Sequence, residues 1–303
     1  MIGTPMSSFK RKESVSAASR RLVCAQLESA IQALSRDTKR DNASEADRAI
    51  AGARAALELA GPALPRDIVR RDRKRLDAIA KTLGQARLCR RLGNRLDKLI
   101  KRAGLDTDDA ALKQLRKQIA QHTEGNVALR TRGQRFDPMV YRLVAELAEL
   151  RGHVGHWPDA KADTPEAPPP GLAAVYRAAR NAARKADDEA ADITAAHRPI
   201  ARLGESLTLI SKCCPAMLKP QRAMLEASAK PLAALALDAR LITSAGQDKS
   251  LADLAATLAD AAQLDHADAA SKLADARHYA LAETPQAFTN RVGAYWIAWR
   301  MAS

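Results

Sequence analysis

Ala18, Leu22, Ala25 and Leu27, followed by Ile31 and Leu34, recur along "ESVSAASRRLVCAQLESAIQALSR" mostly at intervals of three or four residues. That period traces one face of an α-helix and predicts a helix starting near Ser14 or Ser16, either of which can cap it. A polar turn, "RDTKRDNAS", follows. Ser44 with Asp47 three residues on then gives a capping-box-like start to a second helix, which Gly61 and Pro62 stop. A third helix is predicted from about Arg66 to Gly104, with Gly84 and Gly93 as candidate bends. Leu105 to Gln134 reads as a shorter helix and a glycine-containing turn, and "FDPMVYRLVAELAELRGHVGHW" as another amphipathic helix. The proline-rich, acidic "PDAKADTPEAPPPG" reads as a solvated connector.

Beyond that connector the pattern repeats. "ADRAIAGARAALELAGPALP", Ala46 to Pro65, pairs without a gap with "AHRPIARLGESLTLISKCCP", Ala196 to Pro215. Ala46, Arg48, Ile50, Ala51, Leu57, Leu59 and Pro65 recur as Ala196, Arg198, Ile200, Ala201, Leu207, Leu209 and Pro215. "LDAIAKTLGQARL" from Leu76 likewise pairs with "LEASAKPLAALAL" from Leu225. Two ordered blocks at nearly one offset argue for a duplicated unit of about half the chain. The second unit is expected to start near Gly171, with "LAAVYRAARNAARKADDEAADI" as its first helix and Gln221 to Leu241 as its third. More helix should run from Ser250 to Trp299, with Trp296 and Trp299 anchoring it to the core. The organisation expected is a tail over 1–8, a first half over 9–157, a connector over 158–171 and a second half over 172–303.

Composition narrows the class. Of the 303 residues 47% are hydrophobic but only 3% aromatic, so Leu, Ala, Ile and Val must build the core, and Ala with Leu are strong helix formers. An all-α protein is expected. No run approaches the roughly 20 apolar residues of a membrane helix, and "MIGTPMSSFKRKES" lacks the apolar stretch of a secretory signal, which predicts a soluble, cytoplasmic protein. Cys24, Cys89, Cys213 and Cys214 show no C-x-x-C spacing and read as small hydrophobes in a reducing compartment. His153 and His156 stand beside Trp157 without a third ligand, and no phosphate-binding glycine loop, nucleophile elbow or zinc-helix motif occurs. The chain is therefore read as a non-enzyme without metal or cofactor.

Charge supplies the functional direction. The net charge is +14, and its excess lies entirely in the first half: residues 1–155 hold 32 Lys and Arg against 18 Asp and Glu, and residues 156–303 hold 17 against 17. Such an imbalance points to a polyanionic or acidic partner.

Two sets of helices, each with a basic face, a leucine-rich face and a Gly-Pro or Cys-Pro stop, resemble the conserved histidine α-helical domain (CHAD) family. "FKRKESVSAASRRLVCAQLESAI" looks like the family's opening segment and "RRDRKRLDAIAKTLGQARL" like its third helix. The resemblance runs from about Phe9 to at least Leu254. It implies two pseudo-symmetric four-helix bundles formed by an internal duplication, and a basic cavity that binds inorganic polyphosphate without chemistry. It also implies association with polyphosphate granules. In the family the second helix of each half reads H-x-x-R-x-x-x-K-x-x-R. The matching positions are Ser44, Asp47, Ala51 and Arg54, then Thr194, His197, Ala201 and Gly204. Both hallmark histidines are replaced by hydroxyls, Arg54 keeps its cation, and His197 takes an arginine position.

The polyphosphate-binding residues expected on this reading are Lys10, Arg11, Lys12, Arg20 and Arg21 at the first helix, and Arg48 and Arg54 on the second. Arg73, Lys74, Arg87 and Arg91 join them from the third, with Arg177, Arg180 and Arg184 at i, i+3, i+7 on the opening helix of the second unit. His197, Arg198 and Arg202 complete the set. Two other partners fit the same charge: nucleic acid, for which aromatics are scarce and no reading helix is apparent, and a protein bound by a scaffold that has lost the anion.

Overall fold

A computed structural model describes residues 8–36, 42–124, 138–159, 168–186 and 190–302. Helix α1 covers Val15–Ser35, and the Ser14 hydroxyl accepts from the Ala17 N–H at 3.3 Å, as its sequence position suggests. Helix α2, Asn42–Ala60, starts ahead of Ser44, so the capping-box reading placed it late; the Asn42 side-chain amide instead donates to the Arg36 carbonyl at 2.6 Å. A 3-10 turn at Gly61–Ala63 leads into α3, Arg66–Ala103, which passes Gly84 and Gly93 as unbroken helix. It ends at Gly104, whose φ of 65° lies in the left-handed region where a side chain would be strained. Then come α4 (Ala110–Glu124) and α5 (Pro138–Gly155); the turn expected before Gln134 lies outside the described residues.

The second half runs α6 (Leu172–Lys185), α7 (Ala190–Ala195), α8 (His197–Ile210), α9 (Pro215–Gly246), α10 (Ala252–Asp275), a π-helical turn at Ala276–Ala280 and α11 (Pro285–Met301). Helix α9 starts six residues before the predicted Gln221 because Pro215 at the first helical position fits a helix start well. Among the described residues there is no strand, and no helix is long and apolar enough to cross a membrane.

The repeated stretches become α2 and α8, which pack on each other across the join between halves. Their matched apolar positions, Ile50, Leu57, Leu59 and Ile200, Leu207, Leu209, are all buried. Helix α1 lies against α2 and α5, while α6 and α9 flank α8. Ala46, Ala49, Ala53, Ala56 and Ala60 are buried along α2 and leave little side-chain bulk between helices.

The apolar core does not divide at the connector. One large cluster takes in α1, α2, α5, α6, α8, α11 and the first parts of α3 and α9. A separate distal cluster joins Leu92, Leu96, Leu99 and Ile100 of α3 and Leu112, Leu115 and Ile119 of α4 to Leu241 of α9 and Leu254 and Leu258 of α10. Each half contributes to both.

The connector is fastened at each end. Trp157 is buried and its indole N–H donates to the buried Asp72 carboxylate of α3 at 2.9 Å. Gly171 donates its N–H to the Leu59 carbonyl at 2.9 Å, and a Cβ there would stand 1.9 Å from the Glu58 carbonyl oxygen, so only glycine allows this approach. Trp296 is buried as expected, meeting Phe9 edge to face at a centroid distance of 5.4 Å and Trp299 at 5.4 Å.

Candidate anion-binding surface

Arg66, Arg70, Arg73, Lys74 and Asp77 follow one another at i, i+4, i+7, i+8 and i+11, so α3 presents them on one side. With Gly61 and Val69 they line an open depression of about 380 Å³. Its single acid is already engaged, because Arg54 of α2 pairs with Asp77 at 2.6 Å. Arg66, Arg70 and Lys74 are exposed and enter no ion pair among the described residues. This depression is a cluster of solvated cations with little built-in neutralisation.

Arg73 connects it to the α2–α8 seam. Glu58 Oε1 accepts from Arg73 Nη2 at 3.1 Å and also pairs with Arg202 Nη1 of α8 at 2.9 Å, so one largely buried carboxylate ties three helices. Beside it on α8, Glu205 is pushed up to about 7. Burial is the main cause, opposed by Arg54 and Arg202 and reinforced by the negative Asp47 and Glu58. Burial and the neighbouring Arg202 lower the pKa of Arg54.

Further along α3 the balance tips towards cations. Arg87 pairs with Asp47, and its Nε is buried without a hydrogen-bond partner. Burial, then Arg87, lowers the pKa of Arg91, and Arg240 of α9 adds to the effect against Asp47. Burial, Arg91 and Arg198 together lower His197, which is therefore less readily protonated than a free histidine. From Arg73 to Arg91 the helix advances about 27 Å at 1.5 Å per residue. The cations thus form a track along α3 that meets acids of α2 at both ends, Glu58 and Asp47, with Arg202 of α8 near Arg73 and with His197 of α8 and Arg240 of α9 near Arg91.

Several expected cations are engaged elsewhere. Arg11 donates to the Ala302 carbonyl at 2.9 Å and lies 6.0 Å from the Trp299 ring, while Arg300 donates to the Lys10 carbonyl at 2.6 Å. The basic cluster of Lys10, Arg11 and Lys12 thus lies at the end of α11 and does not extend the α3 face. Arg20 pairs with Asp159, and Arg21 grips Glu13 through two bonds of 2.7 and 2.6 Å. Glu13 is lowered, since the Arg21 hydrogen bond and charge, with Lys10, together outweigh the burial that would raise it. Arg54, Arg73, Arg87 and Arg202, expected among the polyphosphate-binding residues, are each ion-paired in the structure, because α2 places Asp47 and Glu58 among them and α3 supplies Asp77. The Arg177, Arg180, Arg184 stripe is split: Arg180 donates to the Leu281 carbonyl at 3.2 Å, and Arg177 and Arg184 are exposed. Arg48 and Arg198 are exposed as well.

Arg66, Arg70, Glu58 and Glu205 are not among the binding residues expected from the sequence. The spacing of Arg66 and Arg70 with Arg73 was a readable signal; the placing of Glu58 and Glu205 between cations depends on the meeting of α2 and α8. His153 Nδ1 accepts from Arg75 Nη1 at 2.8 Å, and no group of potential metal ligands gathers among the described residues.

An all-helical arrangement of the described residues, with α2 and α8 facing each other across a charged seam, is the class that this geometry defines. Its fold is that of the CHAD domain. The chain superposes on the crystal structure of the CHAD domain from the plant Ricinus communis with a TM-score of 0.52 at 16% identity, covering 95% of each chain. It superposes on PptA from Streptomyces chartreusis with a TM-score of 0.58 at 15% identity, covering 90% of this chain and 100% of the other. No family model and no curated protein sequence matches it.

Proposed function

We propose that the protein binds inorganic polyphosphate through the cation track of α3, in the cytoplasm and at polyphosphate granules, and carries out no chemistry on it. The observation that carries this reading is the depression where Arg66, Arg70, Arg73 and Lys74 gather around one acid that is already paired. Closely spaced phosphates suit such a surface. Guanidinium groups meet phosphate oxygens in pairs, and each contact releases condensed counterions. Arg87, Arg91, His197, Arg198 and Arg240 would continue the track for a long chain. The CHAD fold adds weight, since that family is linked to polyphosphate.

Nucleic acid is the weaker fit, because no aromatic side chain lines the depression to stack a base. Titration with long-chain polyphosphate at increasing salt tests the reading. Saturable binding whose logarithm falls linearly with the logarithm of salt, and which RNA displaces poorly, is expected. Absence of binding at low salt, or RNA binding that polyphosphate cannot displace, would end it.

A further inference from the structure

We infer that the outer side of α11, with the cations that border it, docks the protein on the surface of an anionic lipid bilayer. The inference is independent of the polyphosphate reading and uses cations that the α3 track leaves out. Helix α11 buries Phe288, Val292, Gly293 and Trp296 on one side. Its other side is apolar too: Ala294, Ile297, Ala298 and Met301 fall at i, i+3, i+4 and i+7 and are all exposed, Ile297 by 42% and Met301 by 75%, with Tyr295 next to them at 44%. Pro285–Met301 contains no Asp or Glu. Its two arginines are engaged, Arg291 donating to Glu283 at 3.1 Å and Arg300 to the Lys10 carbonyl at 2.6 Å. A helix that is apolar all round belongs in a buried place, and this one is covered on one side only.

The charges around it decide what covers the other side. Lys10, Arg11 and Lys12 cross the end of α11, where Arg11 Nη1 donates to the Ala302 carbonyl at 2.9 Å, and all three are exposed. Along one flank runs α6, which likewise has no Asp or Glu. Its Tyr176 stacks on Phe288 at a centroid distance of 4.0 Å and its Arg180 donates to the Leu281 carbonyl at 3.2 Å, which brings the Arg177, Arg180, Arg184 stripe alongside α11. An apolar strip bordered by cations fits the headgroup region of a membrane that contains acidic phospholipid. Ile297, Met301 and the Tyr295 ring enter the interface while lysine and arginine meet the lipid phosphates. No helix among the described residues is long and apolar enough to cross, so the contact is with one leaflet. A second copy of the chain fits less well, because pairing α11 with α11 would set two cationic borders together with no acid on either helix to offset them.

The test is co-sedimentation of the full chain with vesicles of phosphatidylcholine, alone or mixed one to one with phosphatidylglycerol, at constant salt. The wild type should sediment with the mixed vesicles and stay in solution with phosphatidylcholine alone. Ile297→Gln with Met301→Gln changes exposed positions and no charge; it should melt like the wild type, bind polyphosphate as before, and lose roughly tenfold in vesicle affinity. Lys10→Gln with Lys12→Gln should lose roughly thirtyfold, about fivefold for each cation. Replacing Arg66, Arg70 and Lys74 by Gln removes more charge but should keep most of the vesicle binding, since these residues lie on α3. Equal vesicle binding by the wild type and the Ile297, Met301 variant would mean adsorption through total charge and would overturn the inference, as would no binding to the mixed vesicles. A dimer in solution that the same variant abolishes, without vesicle binding, would give the face to a second copy and overturn it as well. Each of these results leaves the polyphosphate reading intact.

Discussion

Two clusters of arginine lie on one helix and have opposite fates. Near the end of α3, Arg95 is buried between α9 and α10, donating to Asp238 at 2.6 Å and to Asp265, which also receives Arg102 at 2.7 Å. Two cations meet two carboxylates there, and hydrogen bonds to Asp238 chiefly raise the pKa of Arg95 against its burial. Near the start of α3, Arg66, Arg70 and Lys74 face solvent with no ion pair among the described residues, Arg73 is held by Glu58, and the acid lining the depression, Asp77, is taken by Arg54. The residue types are the same. Partner count and burial decide that the distal cluster holds the fold while the proximal one keeps its charge exposed to solvent.

The largest expected effect comes from breaking the distal cluster. Arg95→Ala strands Asp238, which is 2% exposed, and should cost about 3–5 kcal/mol in chemical denaturation. Polyphosphate affinity per folded molecule should not change. Next is the pH dependence of stability set by the proximal seam. Because the folded pKa of Glu205 lies above the ordinary 4.5, the native state binds more protons than the unfolded one between about 4.5 and 7. Stability from this group is fully present below that window and declines as pH rises through it, by at most about 3 kcal/mol. Thermal melting of Glu205→Gln should lack that decline. Glu13 and Asp265, both lowered, act oppositely, contributing stability above their ordinary range that is lost on acidification.

A smaller effect on folding, but a decisive one on binding, is expected from neutralising the proximal cluster. Replacing Arg66, Arg70 and Lys74 together by Gln should leave stability within about 0.5 kcal/mol per site, as these are exposed positions. It should weaken polyphosphate binding by roughly tenfold to a hundredfold and flatten the salt dependence by about 0.7–0.9 per lost contact. The smallest effect belongs to Arg177→Gln with Arg184→Gln, which should change affinity less than about threefold if binding follows the α3 track and not merely total charge.

The comparison also shows what the sequence reveals and what it conceals. Helical period, proline and glycine stops and the recurring Ile50, Leu57, Leu59 pattern disclose the helices and the central α2–α8 pair, because local spacing fixes which face is apolar. The start of α9 at Pro215 was missed: proline was read as a stop although it also begins helices well. The cations of α3 were visible as a group. That Arg73, Arg87 and Arg202 meet Glu58 and Asp47 was not, since those partners lie 15, 40 and 144 residues away and only tertiary packing joins them. Nothing in the local sequence sets Arg95 apart from the other cations of α3; its burial against Asp238 assigns it to the core.

The distal core has a consequence for how the chain is made. Leu96, Leu99, Leu112 and Leu115 emerge from the ribosome long before Leu241, Leu254 and Leu258, which complete that cluster. At about 5–20 residues per second the wait is on the order of ten seconds, during which these leucines stay exposed to aggregation. For the same reason a fragment stopped at the connector should be sticky, and co-expression of the two fragments should rescue it as a non-covalent pair.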